Sequence, residues 1–313
     1  MAATQGTLAD GLAGQLREEP GRVSRWLKWT AWFFRHKPLG AISATLTLFV
    51  FAVAIGAWTG WIVPQDPIKV NGIDRLSSFF TESVRGDKFY VLGTDDLGRD
   101  MLSRLIKGAQ ISVFFAIGVS LISIPIGGVI GLISAYAGGK FDLVVQRVID
   151  AIQTVPFLVL AIAIVSILGP GIWQGFWAVA ILSIPRPARV IRGSVLSAKE
   201  NVWAEAARTI GATDRRIMFR HILPNVLAPM IVLATFVLAV AVITEASLSF
   251  LGIGAQPPTP SWGAMLTGSG RLYFETHPRL AFLPGIAISV LVFSTNMFGD
   301  ALRDILDPRL RGR

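Results

Sequence analysis

Long apolar runs alternate with polar segments along the chain, and a helix that crosses a bilayer needs about 20 apolar residues. Four uninterrupted runs have this length, at residues 39–63, 111–135, 225–250 and 281–302. Two further runs, at about 151–168 and 176–192, are separated by the turn signal Gly169-Pro170-Gly171. The pattern therefore predicts an all-α integral membrane protein with six transmembrane helices.

The composition agrees with this pattern, because 52% of the 313 residues are hydrophobic and 16% are charged, which is unusual for a soluble domain. The chain has no cysteine and three histidines. A disulfide framework and a thiolate metal site are therefore excluded, and histidine is too scarce for a metal-ligand cluster. We expect no metal and no cofactor in this chain.

The distribution of charge predicts the orientation, since Lys and Arg are retained on the cytoplasmic side. With the N-terminus inside, the inner segments contain 20 of the 29 basic residues and 11 of the 20 acidic residues. The whole net charge of +9 then lies inside. An even number of spans places both termini on one side, so the sequence predicts an N-in, C-in topology.

The predicted spans divide the chain into segments. Residues 1–38 form a cytoplasmic N-terminal segment, and residues 22–36 within it have the pattern of an amphipathic helix on the membrane lipid surface. The aromatic residues of that face are Trp26, Trp29, Trp32 and Phe33. After the first transmembrane helix at 39–63, the chain has an extracytoplasmic segment at 64–110, a five-helix core at 111–302 and a cytoplasmic tail at 303–313. The core includes an inner loop at 193–224 and an outer loop at 251–280.

Several polar and aromatic residues near the spans are candidates for function. Glu245 is a candidate for the transport pathway, because an ionisable group close to hydrocarbon usually faces the bundle or a wet cavity; its alternative role is to hold the outer loop by hydrogen bonds. Asn296 on the sixth span is a second pathway candidate. Arg147 and Asp150 are expected to pair at the membrane edge. Trp262 in the outer loop is expected at the membrane interface or at the outer vestibule.

The inner loop 193–224 has the pattern of two short helices joined by a glycine turn. Ser197-Ala198-Lys199-Glu200 fits a capping box that would begin the first helix. The apolar residues of this helix recur along one face, at Val202, Trp203, Ala206, Ala207 and Ile210. Gly211 follows, where a left-handed helix terminator is expected. Thr213 can cap the second helix, which is expected to end before Pro224.

Two helices with a glycine turn and several arginines also imitate a DNA-binding helix-turn-helix. However, the loop has only about thirty residues between two spans and no third helix to support it. We therefore expect no nucleic acid partner. A simple connector, whose arginines only follow the inside rule, remains an alternative for this loop.

The inner loop also carries a family signature, because Glu205-Ala206-Ala207, Gly211, Ile217 and Leu223-Pro224 together resemble the EAA motif of importer-type ABC permeases. The resemblance extends from about residue 36 to the end of the chain. Its further motifs are Leu92-Gly93-Thr94-Asp95 with Gly98-Arg99-Asp100, then Glu245 through Gly252, Pro258 through Gly263, and Gly299 through Arg309. In these motifs the chain resembles the dipeptide/oligopeptide permease family, and within it the C-type subunit.

The resemblance implies a type I ABC importer permease fold with a cytoplasmic coupling-helix loop, which fits into a groove on an ATPase subunit. The implied coupling residues are Glu205, Ala206, Ala207, Gly211, Ile217 and Pro224. The implied partners are a homologous permease subunit in a heterodimer, two ABC ATPase subunits that bind ATP and Mg, and an extracytoplasmic substrate-binding protein. The complex would carry di- or oligopeptides, or a related small solute, across the bacterial inner membrane by alternating access. Relatives also carry nickel complexes, glutathione or sugars.

No phosphate-binding loop is present, since Gly138-Gly139-Lys140 is followed by Phe141 and lacks the earlier glycine. The chain is therefore not expected to be an enzyme, and ATP hydrolysis is expected in separate subunits. The alternatives are a secondary transporter or channel that works without ATP, which usually carries charges at mid-span, and a membrane scaffold that transports nothing. Neither alternative accounts for the organisation of the inner loop.

Overall fold

The computed structural model describes residues 34–35 and 37–306, and its regular structure is almost entirely helical. The first six helices are α1 Pro38–Thr59, α2 Met101–Ala137, α3 Gly139–Gln153, α4 Phe157–Leu168, α5 Ile172–Leu182 and α6 Pro185–Lys199. The next are α7 Val202–Thr209, α8 Asp214–Arg216, a π-helical segment Ile217–Ile222, α9 Leu223–Phe250, α10 Trp262–Thr267, α11 Ser269–Leu272 and α12 Arg279–Leu306. Strands β1 Thr81–Glu82 and β2 Phe89–Tyr90 pair antiparallel, with Thr81 opposite Tyr90.

Among residues 37–306, four helical stretches are long and apolar enough to cross a membrane: α1, α2, α12 and the continuous helix that runs from α8 into α9. They correspond to the four uninterrupted apolar runs of the sequence, with shifted ends. The largest shifts are at two helix starts, since the helix of α8 and α9 begins at Asp214 rather than at 225, and α2 begins at Met101 rather than at 111. The side chain of Asp100 caps this helix by accepting a hydrogen bond from Ser103 N.

The expected span at 151–168 is not one continuous helix. Helices α3 and α4 meet there at an angle of 82°, and the pair is either one broken span or a re-entrant segment. Pro156 causes the break, because proline lacks an N–H and disfavours helical geometry in the residue before it, Val155. A second break at Ser183–Ile184 divides the expected span 176–192 between α5 and α6, which have 11 and 15 residues. The total of six spans and the N-in, C-in topology stay predictions.

Helix α2 lies at the centre of the bundle and packs against α1, α6 and α9. The contact with α6 is close because α2 carries glycine there. A Cβ at Gly131 would lie 2.3 Å from the carbonyl oxygen of Ala188, so any larger residue would push the two helices apart. The close contact gives α6 a fixed position relative to the most buried helix of the molecule.

The predicted extracytoplasmic segment is folded around the buried carboxylate of Asp74. This carboxylate accepts hydrogen bonds from Ser83 Oγ at 2.7 Å, Val84 N at 2.8 Å and Tyr90 Oη at 3.1 Å. Burial acts to raise the pKa of Asp74, but these hydrogen bonds outweigh it and hold the pKa below its ordinary value. The sequence predicted a folded segment here, at 64–110. In the structure this segment ends earlier, because helix α2 begins at Met101.

The outer loop packs onto the bundle through Trp262, and the expectation of an interfacial or vestibule position for this residue is wrong. Trp262 is 3% exposed, and its Nε1 donates to the carbonyl oxygen of Leu105 at 2.9 Å. Arg279 of α12 donates to the carbonyl oxygens of Leu76 and Ser77 at 2.9 and 2.6 Å. The extracytoplasmic segment, the outer loop and the ends of α2 and α12 therefore form one packed body.

At the opposite end, Lys37 Nζ lies 2.5 Å from Asp304 Oδ2 and joins the start of α1 to the end of α12. Asp304 belongs to the expected tail at 303–313, of which the structure describes residues 303–306. The expected interfacial aromatic residues Trp26, Trp29, Trp32 and Phe33, and the tail from 307 onward, lie outside the described residues.

Candidate functional site

The inner loop connects two helices of the bundle, and its first helix does not begin where the sequence indicated. The capping box at Ser197 is wrong, because α6 continues to Lys199 and α7 starts after Asn201. Val195 and Ala198 explain the extension, since both side chains are buried in an apolar cluster and gain from staying helical. Packing thus overrides the local capping preference.

The turn at Gly211 has the geometry that the sequence predicts. Gly211 has φ +80°, its N–H donates to Arg208 O at 2.9 Å, and Ala212 N donates to Ala207 O at 3.0 Å. These two bonds form a Schellman motif, which closes the end of α7. A Cβ at Gly211 would meet nothing within 4 Å. The requirement for glycine is therefore conformational and not steric.

The second half of the loop continues into the bundle without interruption. The side chain of Thr213 accepts a hydrogen bond from Arg216 N, as the sequence predicts. The expected helix end before Pro224 is wrong, because the helix runs on from Asp214 to Phe250. The wider turns of the π segment Ile217–Ile222 precede Pro224 and accommodate its missing N–H and its ring.

An apolar cluster on the inner side of the loop fixes it to the bundle. Ala207 of α7 is 5% exposed and Ile217 of the π segment is fully buried. Their cluster also contains Ile222 of the π segment and residues from α2, α6 and α9, namely Leu132, Ala135, Ile191, Val195, Ala198 and Val226. Ala207 and Ile217, two of the six expected coupling residues, therefore fix the loop to the bundle on its buried side. This packing ties α7 to three helices of the bundle.

Tyr136, near the end of α2, is a polar contact point for both halves of the loop. Its hydroxyl donates to Asp214 Oδ1 at 2.6 Å, and Lys199 Nζ donates to its carbonyl oxygen at 2.8 Å. The guanidinium of Arg208 lies 5.9 Å from the ring centroid, within the range of a cation–π contact. Sequence reasoning missed Tyr136, since a lone tyrosine at the end of a span has no motif around it.

The outward face of α7 is apolar and exposed. Val202 and Ile210 are 81% and 84% exposed, and the small Ala206 lies between them on the surface. The predicted single apolar face is thus divided, because Ala207 points inward while Val202, Ala206 and Ile210 point outward. An exposed apolar patch of this kind is typical of a surface that binds another molecule.

Beside this patch, Glu205 lines a cavity of about 470 Å³ together with Lys199 and Arg208. Among residues 37–306, no basic side chain forms an ion pair with Glu205, so its carboxylate is free to accept hydrogen bonds from a partner. Glu205, Ala206, Gly211 and Pro224 are exposed, whereas Ala207 and Ile217 are buried. The six expected residues therefore lie along the segment from α7 to the start of α9 and divide into an exposed set and a buried set.

Glu245 lies far from this loop and is 2% exposed. Its carboxylate accepts hydrogen bonds from Ser112 Oγ at 2.7 Å and Ser249 Oγ at 2.8 Å, and Ser249 Oγ also accepts from Ala255 N at 3.0 Å. These contacts connect α2, α9 and the outer loop. The geometry favours the alternative role, in which Glu245 holds the outer loop, and its place in the pathway stays a prediction.

Asn296 is half-buried, and its Nδ2 donates to Val292 O on its own helix at 3.0 Å. Its place in the pathway also stays a prediction. The expected pair of Arg147 with Asp150 is wrong, because Asp150 forms its ion pair with Arg189 of α6.

A larger cavity lies between the two helix breaks, and sequence reasoning missed the charged residues that line it. It has a volume of about 590 Å³ and is lined by residues of α3 to α6 and α9, including Arg186, Arg189 and Phe236. The guanidinium of Arg186 lies 3.9 Å from the ring centroid of Phe236. The sequence contains one signal for this cavity, since Arg186 and Arg189 lie beside Pro185 and Pro187 inside an expected span. An arginine inside a span is costly unless it faces water.

Comparison with known proteins agrees with this architecture. Residues 127–312 match the family described as binding-protein-dependent transport system inner membrane component. The glutathione transport system permease protein GsiD of Pectobacterium atrosepticum is 39% identical over 285 residues, covering 90% of this chain and 92% of its own. The dipeptide transport system permease protein DppC of Haemophilus influenzae is 40% identical over 281 residues, covering 90% and 94%.

Among solved structures, a chain of the MetNI methionine ABC transporter in an inward-facing conformation has a TM-score of 0.52 and 20% identity. It covers 66% of this chain and 98% of its own length, and it shows a shared fold. The family match, the two relatives and the long apolar helices together establish that the chain belongs to the binding-protein-dependent transport system inner membrane components, as a multi-pass ABC importer permease subunit of the inner membrane.

Proposed function

We propose that this chain forms one half of the translocation unit of an ATP-driven importer for peptide-like solutes, and that α7 receives the movement of an ATPase subunit. The observation that carries the proposal is the construction of the inner loop. Its outer face is apolar and exposed, and its inner face is packed against α2, α6 and α9. An element with both properties can bind a partner and move the bundle with it.

In this proposal the exposed residues of the loop contact the ATPase and the buried residues transmit the force. Glu205 accepts hydrogen bonds from the partner, and Ala206 permits a close approach. Gly211 sets the angle between α7 and the helix that leads into α9. Ala207 and Ile217 carry the displacement to the bundle, where Pro224 lies in the first turn of α9.

The proposed complex contains a second, homologous permease subunit, two ATPase subunits that bind ATP and Mg, and an extracytoplasmic binding protein. The pathway would open outward with ATP bound and inward after hydrolysis, in a cycle of alternating access. The packed outer body around Asp74 and Trp262 is the surface proposed for the binding protein. The similarity to relatives named for dipeptide and glutathione transport supports a peptide-like solute.

The decisive experiment is reconstitution of the chain with its operon-encoded partners in proteoliposomes. We expect copurification of the ATPase, stimulation of its activity by the substrate-loaded binding protein, and solute uptake that requires ATP. Uptake driven by a proton or sodium gradient without ATP would favour the secondary transporter. A stable complex without any uptake would favour the scaffold.

A further inference from the structure

We propose that the cavity between the two helix breaks is part of the substrate pathway and binds a carboxylate of the transported solute through Arg186 and Arg189. The inference rests on the proposed transport of peptide-like solutes, because it assigns a recognition site within that pathway. It differs from the earlier pathway candidates Glu245 and Asn296, neither of which lines this cavity.

The position of the cavity is the first argument. Phe236, Val237 and Val240 form one wall, and they lie at the middle of the 28-residue helix α9. At the same level, Ser120 in the middle of α2 donates to Ala234 O of α9 at 3.1 Å. The cavity therefore reaches the middle of the helices expected to cross the bilayer.

The two helix breaks are the second argument. Val155 and Pro156, between α3 and α4, line the cavity, and so does Ser183, between α5 and α6. Non-helical backbone at membrane depth is tolerated only where protein buries it or where it lines a wet cavity. Two breaks at one cavity, with two arginine side chains, fit a water-filled space better than a lipid-facing groove.

The charge of the cavity is the third argument, and it determines the ligand. Arg186 and Arg189 are its ionisable lining residues, and no carboxylate lines it. Within the described part of the chain, Arg186 forms no ion pair and rests on the ring of Phe236. Arg189 pairs with Asp150, but the two side chains are 46% and 50% exposed, and such exposed pairs are weak. The cavity therefore keeps an excess of positive charge.

The remaining walls are mostly apolar, and the volume of about 590 Å³ lies in the range of small-molecule sites. A guanidinium held against an aromatic ring has a fixed plane and can offer a carboxylate two parallel N–H donors. Apolar walls around two cations fit a solute with a carboxylate and apolar side chains. A short peptide with a free carboxyl terminus has this chemistry.

The absence of cysteine in this chain allows a direct test of the charge inside the cavity. Val240→Cys places a thiol in its wall, and Val84→Cys places one on the exposed outer segment as a control. The complete importer, in vesicles of neutral lipid, is treated with an anionic and with a cationic methanethiosulfonate reagent. The two labelling rates are measured by the intact mass of this chain.

We expect the anionic reagent to react with Val240→Cys about tenfold faster than the cationic one, because a cavity with one sign of charge concentrates counter-ions. Arg186→Gln with Arg189→Gln should abolish this preference, while Arg186→Lys should keep most of it. The ratio at Val84→Cys should not change in any of these variants. Acetate should slow labelling by the anionic reagent more than chloride does at the same concentration.

Equal rates for the two reagents, or no labelling of Val240→Cys at all, would overturn the inference. The first result would mean that an acidic group of another subunit neutralises the arginines, and the second that the cavity is dry. Equal protection by acetate and chloride would also overturn it, since it would leave no preference for a carboxylate. These measurements need neither ATP nor the binding protein, so their failure is distinguishable from failure of ATP-driven uptake in the reconstituted importer.

Discussion

Gly211 forms the turn that ends α7 in the inner loop. It has φ +80° and closes α7 through two backbone hydrogen bonds, and nothing surrounds the place of its missing side chain. A substitution there tests conformation alone, without the steric conflict that accompanies most glycine replacements. Substitutions at Gly211 therefore test the shape of the loop separately from its packing.

We predict that Gly211→Val destabilises the turn by about 1–2 kcal/mol, because a side chain branched at Cβ resists the left-handed conformation. Stimulation of the ATPase by loaded binding protein should fall accordingly. Gly211→Asn is the matched control, since asparagine tolerates this conformation better and should retain most of the stimulation. Equal loss in both variants would show that the side chain itself, and not the backbone, disturbs the contact.

Asp74 predicts a pH dependence at the opposite side of the protein. Its pKa is lower in the folded segment than its ordinary value, so the ionised form stabilises the fold. This stabilisation is complete above about pH 4 and is lost as the pH falls further. Hydrogen exchange of the Val84 amide, which donates to the Asp74 carboxylate, measures this stabilisation.

We expect the hydrogen-exchange protection of the Val84 amide to stay constant between pH 7 and pH 5 and to fall as the pH drops below about 4. Asp74→Asn should lower the protection at neutral pH and remove most of its dependence on pH. Loss of protection already between pH 7 and pH 5 in the unmodified chain would contradict the role given to this carboxylate.

At the scale of elements, α7 is a short helix with one covered and one uncovered face. Its uncovered face should bind the ATPase mainly through apolar contact. Val202→Ser removes most of the apolar area that this exposed side chain would bury against the ATPase. The loss costs about 1–2 kcal/mol of binding free energy, or about tenfold in the dissociation constant. The measurement is the affinity of the detergent-solubilised permease for the ATPase subunit.

Val84→Ser is the matched control for this prediction, because it makes the same replacement at a side chain that is 75% exposed on the extracytoplasmic segment. It should leave the affinity for the ATPase unchanged. An equal effect of both substitutions would point to a general loss of stability, and no effect of Val202→Ser would place the ATPase elsewhere.

The sequence predicted the elements that depend on long apolar runs and on local turn chemistry. The four long spans, the positive φ at Gly211 and the cap at Thr213 all follow from such signals. The errors occur where distant contacts decide the outcome. Packing of Val195 and Ala198 extends α6 through an apparent capping box, and a π segment carries the helix through Pro224.

The two candidate sites differ in the same way. The residues proposed for coupling form a local motif, so the sequence predicted their position in one loop. The cavity with Arg186 and Arg189 is built from five helices, and the sequence did not reveal it because the two helix breaks bring distant segments together. The burial of Glu245 between serines of α2 and α9 depends on the same tertiary packing.

At the scale of the whole molecule, two packed bodies lie at opposite ends of one bundle. The outer body contains Asp74, Trp262 and Arg279, and the inner body contains the loop and its apolar cluster. Helices α2 and α9 run from one body to the other. The proposed transport cycle requires that these two helices carry movement between a binding protein outside and an ATPase inside.

The location of α7 tests this account most directly. Ala206→Cys would be the single cysteine of the chain, and a membrane-impermeant thiol reagent can be applied to intact cells and to inside-out vesicles. We predict labelling in the inside-out vesicles alone, and protection when the ATPase subunit is bound. Labelling of Ala206→Cys in intact cells, or labelling that the bound ATPase leaves unchanged, would contradict the proposed coupling.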